Sequence, residues 1–360
     1  MLTDAAPDWL DVPGDSSVFL DAFTQDGWGD GLPVVLPTQE RLERMLAMVP
    51  LEPDEVLASM PPGQGEVTAA KVAANAVLAG CVPESFPVVM TAVLAMLSPS
   101  FNLNGLQTTT HPVAPLLIVS GDVVQRLGVN AGAGAFGPGA RFNATVGRAL
   151  RLVLLHIGYA RPGERDRATQ GQPSKYSFCI GENAPESPWS AYPQAYAGLE
   201  PGADAVTLFG GENPHNVNDH VSISAAGVLD SVAAVIANPA SNPVHYTQGE
   251  IFIVMSPEHA ATVAGSGFDR SDVQSYLFER ARLSLRRLRQ GGMWGMQAWP
   301  PWMEAIDDED AMLPPVRSPD GFRVLVSGGP GKHSSVLPGF GASKCVTRRI
   351  GDFTVEGAGP

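Results

Sequence analysis

Cysteine is scarce: 360 residues carry three, Cys81, Cys179 and Cys345. The number is odd and the three lie far apart, which excludes a disulfide framework and fits a reducing cytoplasm. Positive charge is also short. Lys and Arg number 23 against 37 Asp and Glu, a net charge of −14, and that balance argues against nucleic acid or an anionic membrane as the main partner. Long apolar runs are missing. The longest, residues 72–97, is broken by Pro83, Glu84 and Pro87 and reads as two buried helices rather than a membrane span. The opening stretch MLTDAAPDWLDVPGD is acidic without an apolar centre, so no secretory signal is expected. Absent too are a G-x-S-x-G elbow, a kinase motif set, C-x-x-C, a Walker loop and a G-x-G-x-x-G fingerprint with its downstream acid. What is there is a packed composition, 44% hydrophobic and 17% charged, long enough for two domains or one large α/β unit.

The most informative stretch is residues 132–151, GAGAFGPGARFNATVGRALR. Its glycines let backbone N–H groups approach a ligand closely. Val146, Leu150, Val153, Leu154 and Ile157 then recur at helical spacing, with Gly158 as a stop. A glycine-rich loop running into a helix start makes an anion site, because the first N–H groups are unpaired and lie at the positive end of the dipole. Arg141, Thr145 and Arg148 fall on one stripe, where two guanidiniums fork a carboxylate or phosphate. Gly137, Gly139 and Asn143 complete the expected set. The alternative is a tight loop with solvated arginines. A second glycine-rich loop, GGPGKHS at 328–334, offers Gly329, Gly331 and Lys332 to an anion and His333 to a proton.

The layout predicts an α/β fold of two related lobes, an internal duplication, with a cleft between them. The expected units are an arm at 1–25, a first lobe at 26–165, a crossover loop at 166–200 and a second lobe at 201–350. Within the arm a short helix is expected at 17–24. Strands are expected at 115–120, 203–209, 250–256 and 322–327. Helices are expected at 38–48, 68–81, 84–97, 141–158, 222–237, 257–263 and 271–288. Ser120, Gly210 and Ser327 end strands and would open onto the cleft.

His111 stands at the mouth of a buried strand and pairs with His333 as acid and base. His215, Asp219 and His220, in NPHNVNDH, form a candidate divalent-metal set, set against a loop of no fixed geometry. Cys81 and Cys345 are the candidate thiols; Cys345 has Lys344, Arg348 and Arg349 nearby, and burial is the competing reading for Cys81 and Cys179. His156, His245 and His259 lack supporting neighbours. The arginines at 280–289 and Trp294, Trp299 and Trp302 read as a solvated face and a packed turn, or as a docking surface.

Five blocks together carry a resemblance: DGLPVVLPT (30–38), AANAVLAGCVPESFPVV (73–89), FGPGARFNATVGRALRLV (136–153), GQPSKYSFCIGEN (171–183) and SGGPGKHSSVLPGFG (327–341). They resemble a bacterial family with a DGLPVVPPT-type N-terminal block, whose members are often encoded beside, or joined to, a small domain bearing a UGSC motif of selenocysteine or cysteine. The likeness spans about residues 26–350. It departs at Leu36, where the family tends to have proline, and the UGSC domain itself is not in this sequence. The resemblance implies a thiol or selenol partner subunit that performs redox or carbon–heteroatom chemistry.

The expected function is a cytoplasmic enzyme, or the substrate-holding subunit of one, acting on a small anionic organic molecule. Its reaction is elimination or hydration, or thiol-linked redox, which makes it a lyase or oxidoreductase component. One alternative is a metal-dependent lyase or hydrolase using His215 and His220. The other is a non-catalytic scaffold for a UGSC-type partner. A homo-oligomer is compatible with either.

Overall fold

The apolar run PLLIVS folds as the centre of a sheet, and the matching run IFIVM folds as the centre of a second one. The computed structural model describes residue 23 and residues 28–243, 249–290 and 301–355. Apart from Phe23, the expected arm at 1–25 and helix at 17–24 lie outside the described residues, as do His245, Trp294 and Trp299.

The first sheet contains β1 (Ala114–Ser120), β2 (Cys179–Gly181) and β3 (Ala205–Gly211). The second contains β4 (His215–Asn218), β5 (Ile251–Met255), β6 (Phe322–Val326) and β7 (His333–Pro338). The last strand, β8 (Val346–Arg349), returns to the first sheet. The orders are β8-β3-β1-β2 and β6-β5-β7-β4. Both sheets follow one plan. In each, a central strand pairs parallel with the strand reached by a helical crossover (β1 with β2, β5 with β6). On its other side it pairs antiparallel with the next strand (β3, β7). The fourth strand is exchanged: β4 follows β3 but joins the second sheet, and β8 follows β7 but joins the first. The two crossing points meet at a bridge between Gly211 and Gly339.

Alternation along the strands gives each sheet two faces. In the first sheet Leu117, Val119, Val206 and Leu208 pack outward on α2 (Ala69–Ala79), α3 (Phe86–Met96) and α4 (Arg141–His156). In the second, Ile253, Met255, Val324 and Val336 pack outward on α5 (Ala225–Ile236), α6 (Pro257–Gly265) and α7 (Arg270–Arg280). The inner faces meet each other: Leu116, Ile118, Ile180 and Phe209 against Phe252, Val254, Leu325 and Leu337. The result is an α/β fold in four layers, helix, sheet, sheet, helix.

This arrangement revises the expected layout. The space between the two halves is a filled apolar layer rather than an open cleft. The boundary drawn at residue 201 divides the first sheet, because β3 and β8 both belong to it. The helix expected over 271–288 is interrupted. It ends at Arg280, and Leu283–Ser284 pairs with Met312–Leu313 before a short helix, Leu285–Arg289. No single helix among the described residues is long and apolar enough to cross a membrane; the broken run Pro83–Met96 and Pro99–Thr108 bends by 73° and lies largely in the core.

The helix starts follow their caps. Thr68 accepts a hydrogen bond from Lys71 N, Ser224 from Gly227 N, and Asp269 forms a capping box with Asp272. Gly80 closes α2 at φ 89°, a conformation costly for any residue with a Cβ.

Candidate functional site

The loop before α4 is fastened by amides. Asn130 N donates to Asn143 Oδ1 at 2.8 Å, and Asn143 Nδ2 donates back to Asn130 O at 2.9 Å and to Cys179 O at 3.2 Å. The Asn143 side chain is therefore a buried brace, its amide taken up by protein groups. The second glycine-rich loop docks on the first. Gly328 N donates to Ala131 O at 2.8 Å, and Asn183 Nδ2 donates to Gly328 O at 3.2 Å. Gly329 passes so close to Ala133 that an added Cβ would sit 2.7 Å from the alanine methyl. Two loops far apart in sequence thus form one surface at the end of β2 and β6.

A pocket of about 250 Å³ opens beside it. Phe136 and Gly137 of the first loop, Asn143 and Ala144 of α4, Ser174 and Asn213 contribute to its wall. Ser174 Oγ donates to Asn213 Oδ1 at 2.5 Å. The residue before α4, Ala140, supplies no capping side chain, so the first-turn N–H groups retain their affinity for an anion. Gly137 lines this pocket; Gly139, at φ 117°, shapes the turn into the helix.

Asn213 and Pro214 are bracketed in the chain by Glu212 and His215. His111 Nε2 lies 2.8 Å from Glu212 Oε1, and His215 Nε2 lies 3.6 Å from Glu212 Oε2. His111 Nδ1 is buried with no partner, and the ring stacks on Phe340 with centroids 6.0 Å apart. Burial alone would raise the Glu212 carboxyl, but hydrogen bonds from His111 and His215 outweigh it and pull it down to about 2. Glu212 in turn raises His215. Glu212, between the two imidazoles, is not among the residues expected from the sequence. Its signal was its place in GENPH, one residue from the pocket wall.

The expected metal set does not converge. His215 faces Glu212, while His220 Nε2 lies 3.2 Å from His333 Nε2. Asp219 is spent on its own turn: it accepts from Val221 N at 3.1 Å, Ser222 N at 2.9 Å and Ser231 Oγ at 2.8 Å. Among the described residues no group of three or more His, Cys, Asp or Glu is placed to hold a metal ion. His111 and His333, expected as an acid–base pair, have separate partners, Glu212 for the first and Asn216 and His220 for the second.

The expected anion clamp is also committed elsewhere. Arg148 forks Asp30 (Nε to Oδ2 2.7 Å, Nη2 to Oδ1 2.8 Å) and donates to the carbonyls of Leu32 and Pro33. Arg141 donates to Gly80 O at 2.9 Å, capping the end of α2. Both arginines hold the 30–35 and 73–81 blocks against α4. Lys332 Nζ donates to His220 O at 3.3 Å, Gly331 turns at φ 131°, and Gly329 is packed on Ala133. His156 is half-buried between Asn75 and the Trp28 carbonyl.

The thiols are held protonated. Burial pushes Cys81 up to about 11 despite nearby Thr145 and Ser85, and burial pushes Cys179 higher still. Cys345 packs on the inter-sheet layer, where burial and then the Glu250 carboxylate push its thiol well above the ordinary range. A thiolate role for Cys81 or Cys345 is not supported by these surroundings.

Compared with known protein families and with curated proteins, the sequence matches none.

Proposed function

We propose that the chain is a cytoplasmic enzyme, or the substrate-holding subunit of one, that takes a small anionic organic molecule into the pocket at the start of α4. The observation that carries this reading is the pocket itself, set between a glycine-rich loop and an uncapped helix start. With Arg141 and Arg148 bound to protein groups, the anion would be held by backbone N–H groups near Gly137, with Ser174 and Asn213 orienting its polar substituents. The imidazoles of His111 and His215, both held by Glu212 next in the chain to Asn213, would carry the proton of an elimination or hydration, and ionised Glu212 would orient them. In a thiol-linked reaction the sulfur or selenium would come from a UGSC-type partner, because Cys81 and Cys179 are buried and the half-buried Cys345 is pushed up beside Glu250.

A scaffold for such a partner is the second reading. It is favoured by Val221 and Ile223, which are 86% and 90% exposed beside the second glycine-rich loop. The arginines of 280–289 favour it less, since Arg280, Arg286 and Arg289 face Asp230, Asp310 and Glu309.

A thermal-shift panel of inorganic phosphate and short mono- and dicarboxylates, including hydroxy acids, tests the enzyme reading. At least one should raise Tm saturably in the wild type and not in Ala144→Phe, which fills the pocket from an exposed helix position. Equal shifts in both proteins, or none in the wild type, would reject the pocket as the substrate site.

A further inference from the structure

The exposed pair His220 and His333 sits on an unusually built foundation. His333 opens β7, and His220 follows β4, the strand paired with it. Their Nε2 atoms are 3.2 Å apart and their ring planes stand at 76°. Asn216 Oδ1 lies 3.0 Å from His333 Nδ1, so a proton on Nδ1 leaves Nε2 with its lone pair outward. Below, a buried network fixes both backbones. Ser334 Oγ accepts from Ser256 N at 3.0 Å and meets His259 Nδ1 at 2.7 Å. His259 Nε2 donates to Asp219 O at 3.0 Å, and the Asp219 carboxylate closes the turn that presents His220. His259 is 1% exposed, whereas the two histidines above it face solvent. A hydrogen bond between two surface imidazoles contributes little to stability and does not require such support.

We propose that His220 and His333 form a two-imidazole site for a divalent transition-metal ion, zinc or a close relative, with the remaining positions open to water or an anionic ligand. Two nitrogens bound to one zinc at about 2.0–2.1 Å stand about 3.3 Å apart at the tetrahedral angle, and the observed separation is 3.2 Å. Asn216 plays the part of the outer partner that fixes tautomer and ring direction. Lys332, whose ammonium reaches the His220 carbonyl, adds a positive charge that disfavours the bare cation and favours an anion as its further ligand. The site keeps His220 from the expected metal set and replaces His215 and Asp219 with His333, which the strand pairing brings from the far end of the chain. It is separate from the pocket reading and stands or falls without it.

The test is equilibrium dialysis of the chelator-treated full chain against Zn(II), with metal and protein quantified, alongside the Cu(II) electron paramagnetic resonance spectrum. The wild type should take up about one ion saturably, held by two protein ligands with the other positions open. His220→Gln and His333→Gln should each weaken binding at least tenfold, and Asn216→Ala by about tenfold through loss of the outer partner. His215→Gln should leave it unchanged. The Cu(II) spectrum should show coupling to two imidazole nitrogens, which needs no variant to fold. Undiminished binding in both histidine variants, equal loss in His215→Gln, or no Zn(II) uptake by the wild type would overturn the proposal.

Discussion

Arg148 makes four hydrogen bonds, and all of them go to protein groups: two to Asp30 and one each to the carbonyls of Leu32 and Pro33. Burial alone would raise the Asp30 carboxyl, but Arg148 outweighs it and holds the group below its ordinary value. Replacing one partner strands the other, so Arg148→Ala should cost about 3–5 kcal/mol in urea unfolding; a loss under about 1 kcal/mol would show that the pair is not the anchor of the 30–35 block. The helical stripe of Arg141 and Arg148 was legible in the sequence, but not its partners: Asp30 lies 118 positions away from Arg148, and no local spacing reveals such an acid. The same limit hid the pairing of Glu212 with His111, 101 positions away. The pairing of Glu212 with His215 has a pH signature. The lowered carboxylate contributes above its unfolded pKa of about 4.3, and the raised imidazole contributes fully below about 6.5 and loses its contribution as pH rises through the folded value. The stability difference between wild type and His215→Gln should therefore be largest between the ordinary carboxylate and imidazole values, about pH 5–6, and fade as pH rises through the raised value of His215. It should stay at a few tenths of a kcal/mol because His215 is about half-exposed. A difference that does not change with pH would contradict the ion pair.

Among the elements, α4 sets the geometry of the pocket and depends on one glycine. A Cβ on Gly147 would fall 2.4 Å from Ser177 Oγ and 2.7 Å from Phe178 N, where the helix presses on the entry to β2. Alanine gains about 1 kcal/mol of helix propensity there, yet the backbone clash costs about 1–3 kcal/mol. Gly147→Ala should thus be destabilising on balance, and a chemical-denaturation midpoint that rises would contradict the close approach. The long apolar elements were readable because periodicity and caps agree in them: Thr68, Ser224 and Gly80 mark real helix ends, and the continuous apolar runs at β1 and β5 are buried on both faces. β4 and β8 were not readable. They are four-residue edge strands, and β4 buries only Val217, too little alternation to stand out from a polar loop. β7 was hidden by the glycine-rich loop before it, and its neighbours supply the pairing that its own composition does not announce.

At the scale of the molecule, the repeated sheet plan explains why sites form where they do. Exchange of β4 and β8 carries the chain across the interface twice, so that residues from both halves meet at the glycine-rich loops and along β4 and β7. The inter-sheet layer makes the halves one folding unit. Phe252 contacts the rings of Tyr192 and Phe209 at 5.3 Å each. Phe252→Ala should cost about 3–5 kcal/mol, and hydrogen exchange in β1 and in β7 should accelerate together; faster exchange confined to one sheet would contradict a shared core. The pocket at the start of α4 can be tested by an NMR titration of the isotope-labelled protein with whichever small anion raises Tm. Saturable amide shifts should centre on Gly137, Asn143, Ala144 and Asn213. Shifts centred elsewhere, or none at all at concentrations that stabilise the protein, would contradict the pocket as the binding site.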